Sequence, residues 1–394
     1  MTRQNRRRFL ALAGAGAASA FVPQRIAIGQ QAKIKLGLML PYSGTYAALG
    51  ANITDALKLR ITEGGGKLGG RDVEYVQVDD ESNPAKARDN AARIITRERA
   101  DIVIGTVHSG VALAMAQVCR EENKFLVIPN AGANDLTRRN CAPTLFRTSF
   151  SNWQPAFPCG QVAIADGKRK AVLMTWNYPA GQESLAGFKE SFTAGGGEIV
   201  KEILIDFPQV EFQAGLTDIA AQRPDCVYVF FAGAGALKFM RDYAAAGLQG
   251  RIPLYHPGFL TDGVMREAGA AANGVKGTLH YADDLPNELN RSFRQKFKTA
   301  TTRDADVYAV QGYDTGTFLL KGLDAVRGDV AAQRPLIQAF RGATIESPRG
   351  TFTLSPQGNP VQNIYLKVVE NGEEKYVRTV AERLADPGTG CSVT

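Results

Sequence analysis

Short, nearly continuous apolar runs alternate along this chain with longer segments whose apolar residues return every three or four positions. Runs at 34–40, 73–78, 101–105 and 125–129 are rich in Val, Ile, Leu and Phe. After a break, four more follow at 171–176, 198–205, 226–231 and 252–256. Strands buried on both faces have this composition, as in parallel sheets covered by helices. The helical segments between them have readable starts and stops. Asn83-Pro84 sets a capping side chain before a proline at the first helical position, and Ala87, Ala91, Ile94 and Glu98 keep the helical step. Ser109 precedes a small-residue apolar helix over 111–122, and a helix over 180–194 stops at Gly195-Gly196-Gly197.

Strand–helix alternation in two blocks predicts an α/β protein of two Rossmann-like lobes with parallel-type sheets. The first block runs to about Thr148 and the second to about Leu279. Helical patterns at 286–298 and 307–326 follow, then strand patterns at 350–353 and 361–369. The expected division is 30–148 plus 280–345 for one lobe and 149–279 plus 346–394 for the other. A chain that leaves a lobe and returns to it has several crossover strands, which suits a hinge.

The N-terminus changes how the charge is read. Asn5-Arg6-Arg7-Arg8-Phe9-Leu10 and the apolar stretch 9–22 resemble a twin-arginine export signal, expected over 1–29. That stretch is shorter than the roughly 20 residues a membrane-spanning helix needs. Residues 1–29 carry five arginines and no acid, so five of the formal +7 belong to the signal and the mature chain is near +2. The basic balance therefore gives no support to nucleic-acid or membrane binding. The expected location is the periplasm.

In open parallel sheets, ligands sit beyond the carboxyl ends of the strands. Six loops occupy those ends: 42–46, 106–109, 130–133, 176–180, 232–235 and 256–259. They are rich in Gly, Ala, hydroxyls and aromatics and contain no Asp, Glu or Lys. Ser109 at a helix start could offer its hydroxyl and the first free N–H groups to an anion, or it could simply cap the helix. Tyr46, Tyr178, Phe231 and Phe259 could wall an aromatic ligand, with core packing as the alternative. His108 and His256 come from opposite blocks and could meet across a cleft.

Enzyme signatures are missing. Gly233-Ala234-Gly235 follows a strand, but Lys238 stands where a dinucleotide loop needs its third glycine. No phosphate-loop, zinc-protease or nucleophile-elbow motif occurs, and only three histidines exist. The five cysteines are scattered without a C-x-x-C pair, and a Cys119–Cys141 bridge is one possibility in an oxidising compartment. No metal or cofactor is expected.

Several stretches together resemble the leucine/isoleucine/valine-binding group of type I periplasmic binding proteins, the soluble receptors of ABC importers. They are Leu40-Pro41-Tyr42-Ser43-Gly44, Val78-Asp79-Asp80, Phe146-Arg147-Thr148-Ser149-Phe150-Ser151-Asn152-Trp153-Gln154, Gln311-Gly312-Tyr313-Asp314, Ser347-Pro348-Arg349-Gly350 and Asn359-Pro360-Val361-Gln362. The resemblance implies two lobes, three hinge strands and a ligand closed between them. It places Ser109 and the loop Ala131–Ala133 at the carboxylate of the family's amino-acid ligands. It also exposes two departures. Ala133 stands where a threonine usually helps hold the ammonium group, and Pro257-Gly258-Phe259 stands where an acidic residue usually pairs with it. A buried ammonium without a partner costs several kcal/mol, so the expected ligand is a non-amino acid.

The Trp-Gln pair and Phe259 look like the branch that binds aromatic compounds. The reading is thus a monomeric receptor for a benzoate-like or phenylpropenoid acid that delivers it to a membrane permease. The expected site is Tyr46, His108, Ser109, Asn130, Ala131, Gly132, Ala133, Tyr178, Phe231, Gly233, Gly258 and Phe259, with His108 set to read a ring substituent. The alternatives are a branched-chain amino acid or amide as ligand, or a sensor of the same fold.

Overall fold

In the computed structural model, which describes residues 32–393, the apolar runs build two sheets; the expected export signal lies outside the described residues. The first sheet comprises β1 (Ile34–Leu40), β2 (Lys67–Leu68), β3 (Arg71–Asp79), β4 (Ile102–Ile104), β5 (Phe125–Ile128) and β6 (Leu145–Arg147). Their spatial order is β2-β3-β1-β4-β5-β6. The second comprises β7 (Lys170–Trp176), β8 (Glu198–Ile205), β9 (Cys226–Phe230), β10 (Leu254–His256), β11 (Lys276–Leu279), β12 (Thr344–Ile345), β13 (Phe352–Leu354), β14 (Pro360–Glu370) and β15 (Glu373–Leu384). Their path is β12-β13-β14-β11-β10-β9-β7-β8, with β15 also paired to β14. Helices cover the sheets, and each lobe is an α/β unit.

The middle of each sheet is parallel, as the continuous apolar runs predict: β1 pairs in parallel with β3 and β4, and β7 with β8 and β9. The margins are not, so both sheets are mixed. The pairs β2–β3, β11–β14, β13–β14 and β14–β15 are antiparallel. The twelve-residue β15 was not expected from its polar sequence. Its signal is Asn371-Gly372, both at positive φ (53° and 76°), the dipeptide that turns a two-residue hairpin.

Packing also revises two other expectations. Ile345, Phe352 and Leu354 lie in the first lobe's core with Phe125, Phe146 and Phe340. The return to the second lobe therefore begins after β13 rather than at 346, because these aromatic and aliphatic side chains fill the face of β5 and β6. Cys141 is bridged to Cys391, while Cys119 is a buried free thiol. Cys119 packs into the apolar core beside its helix, and Cys391 near the C-terminus reaches back to Cys141.

The chain crosses between lobes three times: after β6, after β11 and between β13 and β14. Two buried arginines bind these crossings together. Arg349 donates from Nε to Asp314 Oδ2 (2.8 Å), from Nη1 to Ser149 O (3.0 Å) and to Gln362 Oε1, and from Nη2 to Thr148 O (2.5 Å). Arg147 donates from Nε to Asn359 Oδ1 (2.8 Å) and from Nη1 to Ala133 O (2.8 Å). Gln154 Nε2 donates to Pro360 O (2.8 Å) while its Oε1 accepts from Ser151 N and Asn359 Nδ2. Burial raises the Asp314 carboxyl to about 6 even with Arg349 beside it. Arg349→Met strips that acid of its charge partner and removes a donor from each of the Thr148 and Ser149 carbonyls. The variant should lose about 3–5 kcal/mol in urea unfolding, and Arg349→Lys should not restore it, because an ammonium lacks the planar fork. Full rescue by lysine would reduce the site to a simple charge pair.

Candidate functional site

The carboxyl ends of β1, β4, β5, β7 and β9 face one another across the cleft, and the lobes are shut on it. Tyr46 Oη and Tyr178 Oη, one from each lobe, are hydrogen-bonded at 2.8 Å. Gly233 comes so close to the opposite lobe that a Cβ there would lie 2.5 Å from Thr45 O, at a φ of +58°. Between the lobes lies a small cavity, of about 20 Å³ in this shut form. Six expected residues line it: Tyr46, Ser109, Asn130, Gly132, Tyr178 and Phe259. Val107, Phe150, Asn152, Ala180, Phe230, Ala232 and Tyr308 complete the wall. None of these side chains is charged.

Ser109 owes its availability to its neighbour. His108, at the end of the loop after β4, caps the helix Ser109–Glu121: its Nδ1 accepts from Gly110 N at 3.1 Å and Val111 N at 3.4 Å. The Ser109 hydroxyl is therefore not the cap. It faces the cavity at the helix N-terminus and accepts from Asn152 Nδ2 at 3.5 Å. Asn152 in turn reaches the second lobe, where Glu183 Oε2 accepts from Asn152 Nδ2 (2.7 Å) and from Asn134 N (2.8 Å). Gly132 is matched to this arrangement, since a Cβ there would meet Asn152 Oδ1 at 2.2 Å.

Six expected residues do not line the cavity. The Ala131 N–H donates to Thr106 O at 2.9 Å and the Ala133 carbonyl accepts from Arg147, so both serve the loop and the hinge. Phe231 packs in the core against Trp176, Phe212 and Phe239 at 4.8–5.1 Å between ring centroids. Alternation at the end of β9 sends Phe230 into the cavity instead. Gly233 forms the interlobe approach, and Gly258 faces Leu279. His108 stacks on Tyr178 (4.4 Å, 21°) from behind. His256 does not meet it across the cleft: its Nδ1 accepts from Gly258 N and Leu260 N, at 3.0 and 3.2 Å, within its own loop. Phe150 and Asn152 stood within the quoted 146–154 stretch, whereas Tyr308 opens a helix far from any strand end and had no comparable signal.

With this geometry in view, the match to known proteins is direct. A family model described as "Periplasmic binding protein" matches residues 33–374. The chain belongs to the periplasmic binding protein family. A solute-binding protein of an ABC transporter from R. palustris, solved in complex with benzoate, shares 52% identity and a TM-score of 0.90, covering 92% of this chain and 100% of that one. A second, from Rhodopseudomonas palustris BisB5 in complex with 3,4-dihydroxy benzoic acid, shares 31% identity and a TM-score of 0.86, covering 90% and 99%. The Leu/Ile/Val-binding protein homolog 6 of Brucella melitensis is 29% identical over 367 residues, 90% of this chain and 93% of that protein.

This periplasmic binding protein keeps its cleft neutral through its histidines as well as its walls. Burial lowers the His108 pKa to about 4, and it pushes His256 and His280 well below the usual imidazole range. The caps made by His108 and His256 require an unprotonated Nδ1, so geometry and burial favour the same form. For His108 the folded-state pKa lies below the unfolded value near 6.5. Its stabilisation is thus fully present above pH 6.5 and disappears as pH falls through about 4, on the order of 3 kcal/mol in all. In urea unfolding between pH 7 and pH 4, His108→Asn, which retains a capping oxygen, should lose less stability than wild type by about that amount. Equal acid sensitivity would place the proton elsewhere.

Proposed function

We propose that the protein captures a small aromatic carboxylate between its lobes in the periplasm and delivers it to an ABC permease in the inner membrane. The supporting observation is a shut, uncharged cavity whose walls are rings from both lobes and whose anion-favouring feature is Ser109 at a helix N-terminus. Phe150, Phe259, Phe230, Tyr178 and Tyr46 surround the space. Burying an apolar ring there is worth about 1.5–3 kcal/mol. The carboxylate sits at Ser109, where the hydroxyl and the N-terminal end of a thirteen-residue helix compensate its charge without a cation. The benzoate and 3,4-dihydroxy benzoic acid held by the two similar solute-binding proteins have this chemistry.

The same wall disfavours an α-amino acid, the class suggested by the name of the Brucella relative. An ammonium in this cavity meets no carboxylate among the lining residues. Asp262 is engaged by Lys367 (2.5 Å), and Asp306 accepts from Asn52 Nδ2 (2.7 Å) and Ala309 N (2.8 Å). The ligand bridges the lobes and draws an open–closed equilibrium toward the shut form, which the permease then reads.

Ligand-stripped protein titrated with benzoate and with leucine tests this. Benzoate or a simple derivative at a hundred times its dissociation constant should stabilise by about 2.7 kcal/mol in thermal unfolding, and leucine should give no shift. Ser109→Ala should weaken the aromatic acid about tenfold or more in calorimetry, the range for hydrogen bonds to charged groups. Tight leucine binding would sink the proposal.

A further inference from the structure

Three tyrosine hydroxyls belong to the cavity wall, and they are not equivalent. Those of Tyr46 and Tyr178 satisfy each other at 2.8 Å. The third, Tyr308, is 1% exposed, and its Oη has no hydrogen-bond partner in the structure. Its ring stands 6.2 Å from that of Phe259, centroid to centroid. A hydroxyl buried beside apolar rings and left unpaired is costly, and native proteins seldom tolerate it without a reason. Here the hydroxyl belongs to a residue that lines the cleft between the lobes, so a ligand held there can supply the partner.

The charges around Tyr308 indicate which part of the ligand that is. Tyr308 lies in the first turn of the helix Val307–Ala325, capped by Asp306. Val307 N donates to Asp262 Oδ1 at 3.3 Å. Lys367 is the cation beside Asp262, and it is shared with Glu374 (2.5 and 2.8 Å). Burial raises Asp306 and Glu374 to about 7, and Asp262 is already paired with Lys367. No cation lines the cleft among the described residues, so nothing beside Tyr308 compensates a carboxylate, whereas the helix N-terminus at Ser109 does. A neutral oxygen is the partner that fits. His108, expected to read a ring substituent, does not line the cavity: its Nδ1 caps the helix and its ring stacks on Tyr178.

We infer that Tyr308 is the specificity residue for a ring oxygen: the ligand is a hydroxylated benzoate-type acid whose ring hydroxyl meets Tyr308 Oη while its carboxylate sits at Ser109. This rests on the aromatic-acid reading above and narrows it. Benzoate itself, with no ring oxygen, leaves Tyr308 Oη unpaired.

The test is calorimetry of the full mature protein, stripped of ligand, with benzoate and with 2-, 3- and 4-hydroxybenzoate, on wild type and Tyr308→Phe. Wild type should bind at least one hydroxybenzoate about tenfold more tightly than benzoate, equivalent to about 1.4 kcal/mol. Tyr308→Phe should abolish that preference, so that the variant binds the hydroxybenzoates no more tightly than it binds benzoate. Wild-type affinity for benzoate equal to that for every hydroxybenzoate overturns the inference, and this comparison needs no variant. Equal weakening of benzoate and hydroxybenzoates by Tyr308→Phe also overturns it, by placing Oη on the carboxylate. Binding of none of the four acids would instead remove the aromatic-acid reading itself, and the inference with it.

Discussion

The buried guanidinium of Arg349 is the constraint on which the geometry of this receptor depends. Three strands of chain cross between lobes, and nothing in a parallel sheet fixes one crossing relative to another. Arg349 does so by reaching two carbonyls of the first crossing, Gln362 at the third and Asp314 on a first-lobe helix. Arg147 repeats the arrangement one turn of chain away, tying the first crossing to Asn359. Only a planar, multiply donating cation can hold several acceptors at once in a dry site. A charge pair of this kind adds little net stability over a well-packed apolar substitute. What it contributes is registry: with the base of the hinge fixed, the loops at the strand ends meet within hydrogen-bonding tolerance when the lobes shut.

That registry allows recognition without charge. Tyr46 reaches Tyr178, Gly233 lies against Thr45, and Asn152 spans from Ser109 to Glu183. Each contact tolerates little displacement. The histidines follow the same logic, because His108 and His256 each accept two backbone N–H groups through Nδ1 at the end of a strand. A neutral imidazole serves there as a rigid acceptor. The capping task falls to His108, and Ser109 remains open toward the ligand. On the reading proposed above, a cleft of neutral donors and ring faces would discriminate by the fit of the ring and by the oxygen placed against the Tyr308 hydroxyl.

Much of the fold was legible in the sequence, and the limits have physical causes. Runs buried on both faces announce central parallel strands, so β1, β5, β7 and β9 were visible from composition. Marginal strands carry mixed faces, and β15 left only the Asn371-Gly372 turn as a sign. The quoted stretches that resemble the family turn out to be largely hinge: Arg147, Gln154, Arg349, Asn359 and Gln362 bond to one another's segments. They identify the architecture and say little about the ligand. For the site, strand ends predicted which loops converge, and half of the expected residues line the cavity. The misses are of a finer kind. Reading Phe231 for Phe230 is a one-residue slip in a period of two, which exchanges cavity and core. The Ala131 N–H is taken by Thr106 O and the Ala133 carbonyl by Arg147, partners within the fold that sequence does not display.

The shut form is held by modest contacts, and this suits a carrier that must release what it binds. Polar links across the cleft include the Tyr46–Tyr178 hydroxyl pair, Glu183 accepting from Asn134 N and Asp262 accepting from Val307 N. A hydrogen bond of this sort contributes a net 0.5–1.5 kcal/mol or so. Glu183 is also disfavoured as an anion here, because burial raises its pKa. A ligand that buries a ring on both lobes and places an anion at Ser109 supplies the differential affinity that decides the equilibrium. Asn152 joins these two processes, since the same amide that touches Ser109 Oγ also holds Glu183. Occupation of the acid position and latching of the lobes therefore share one side chain.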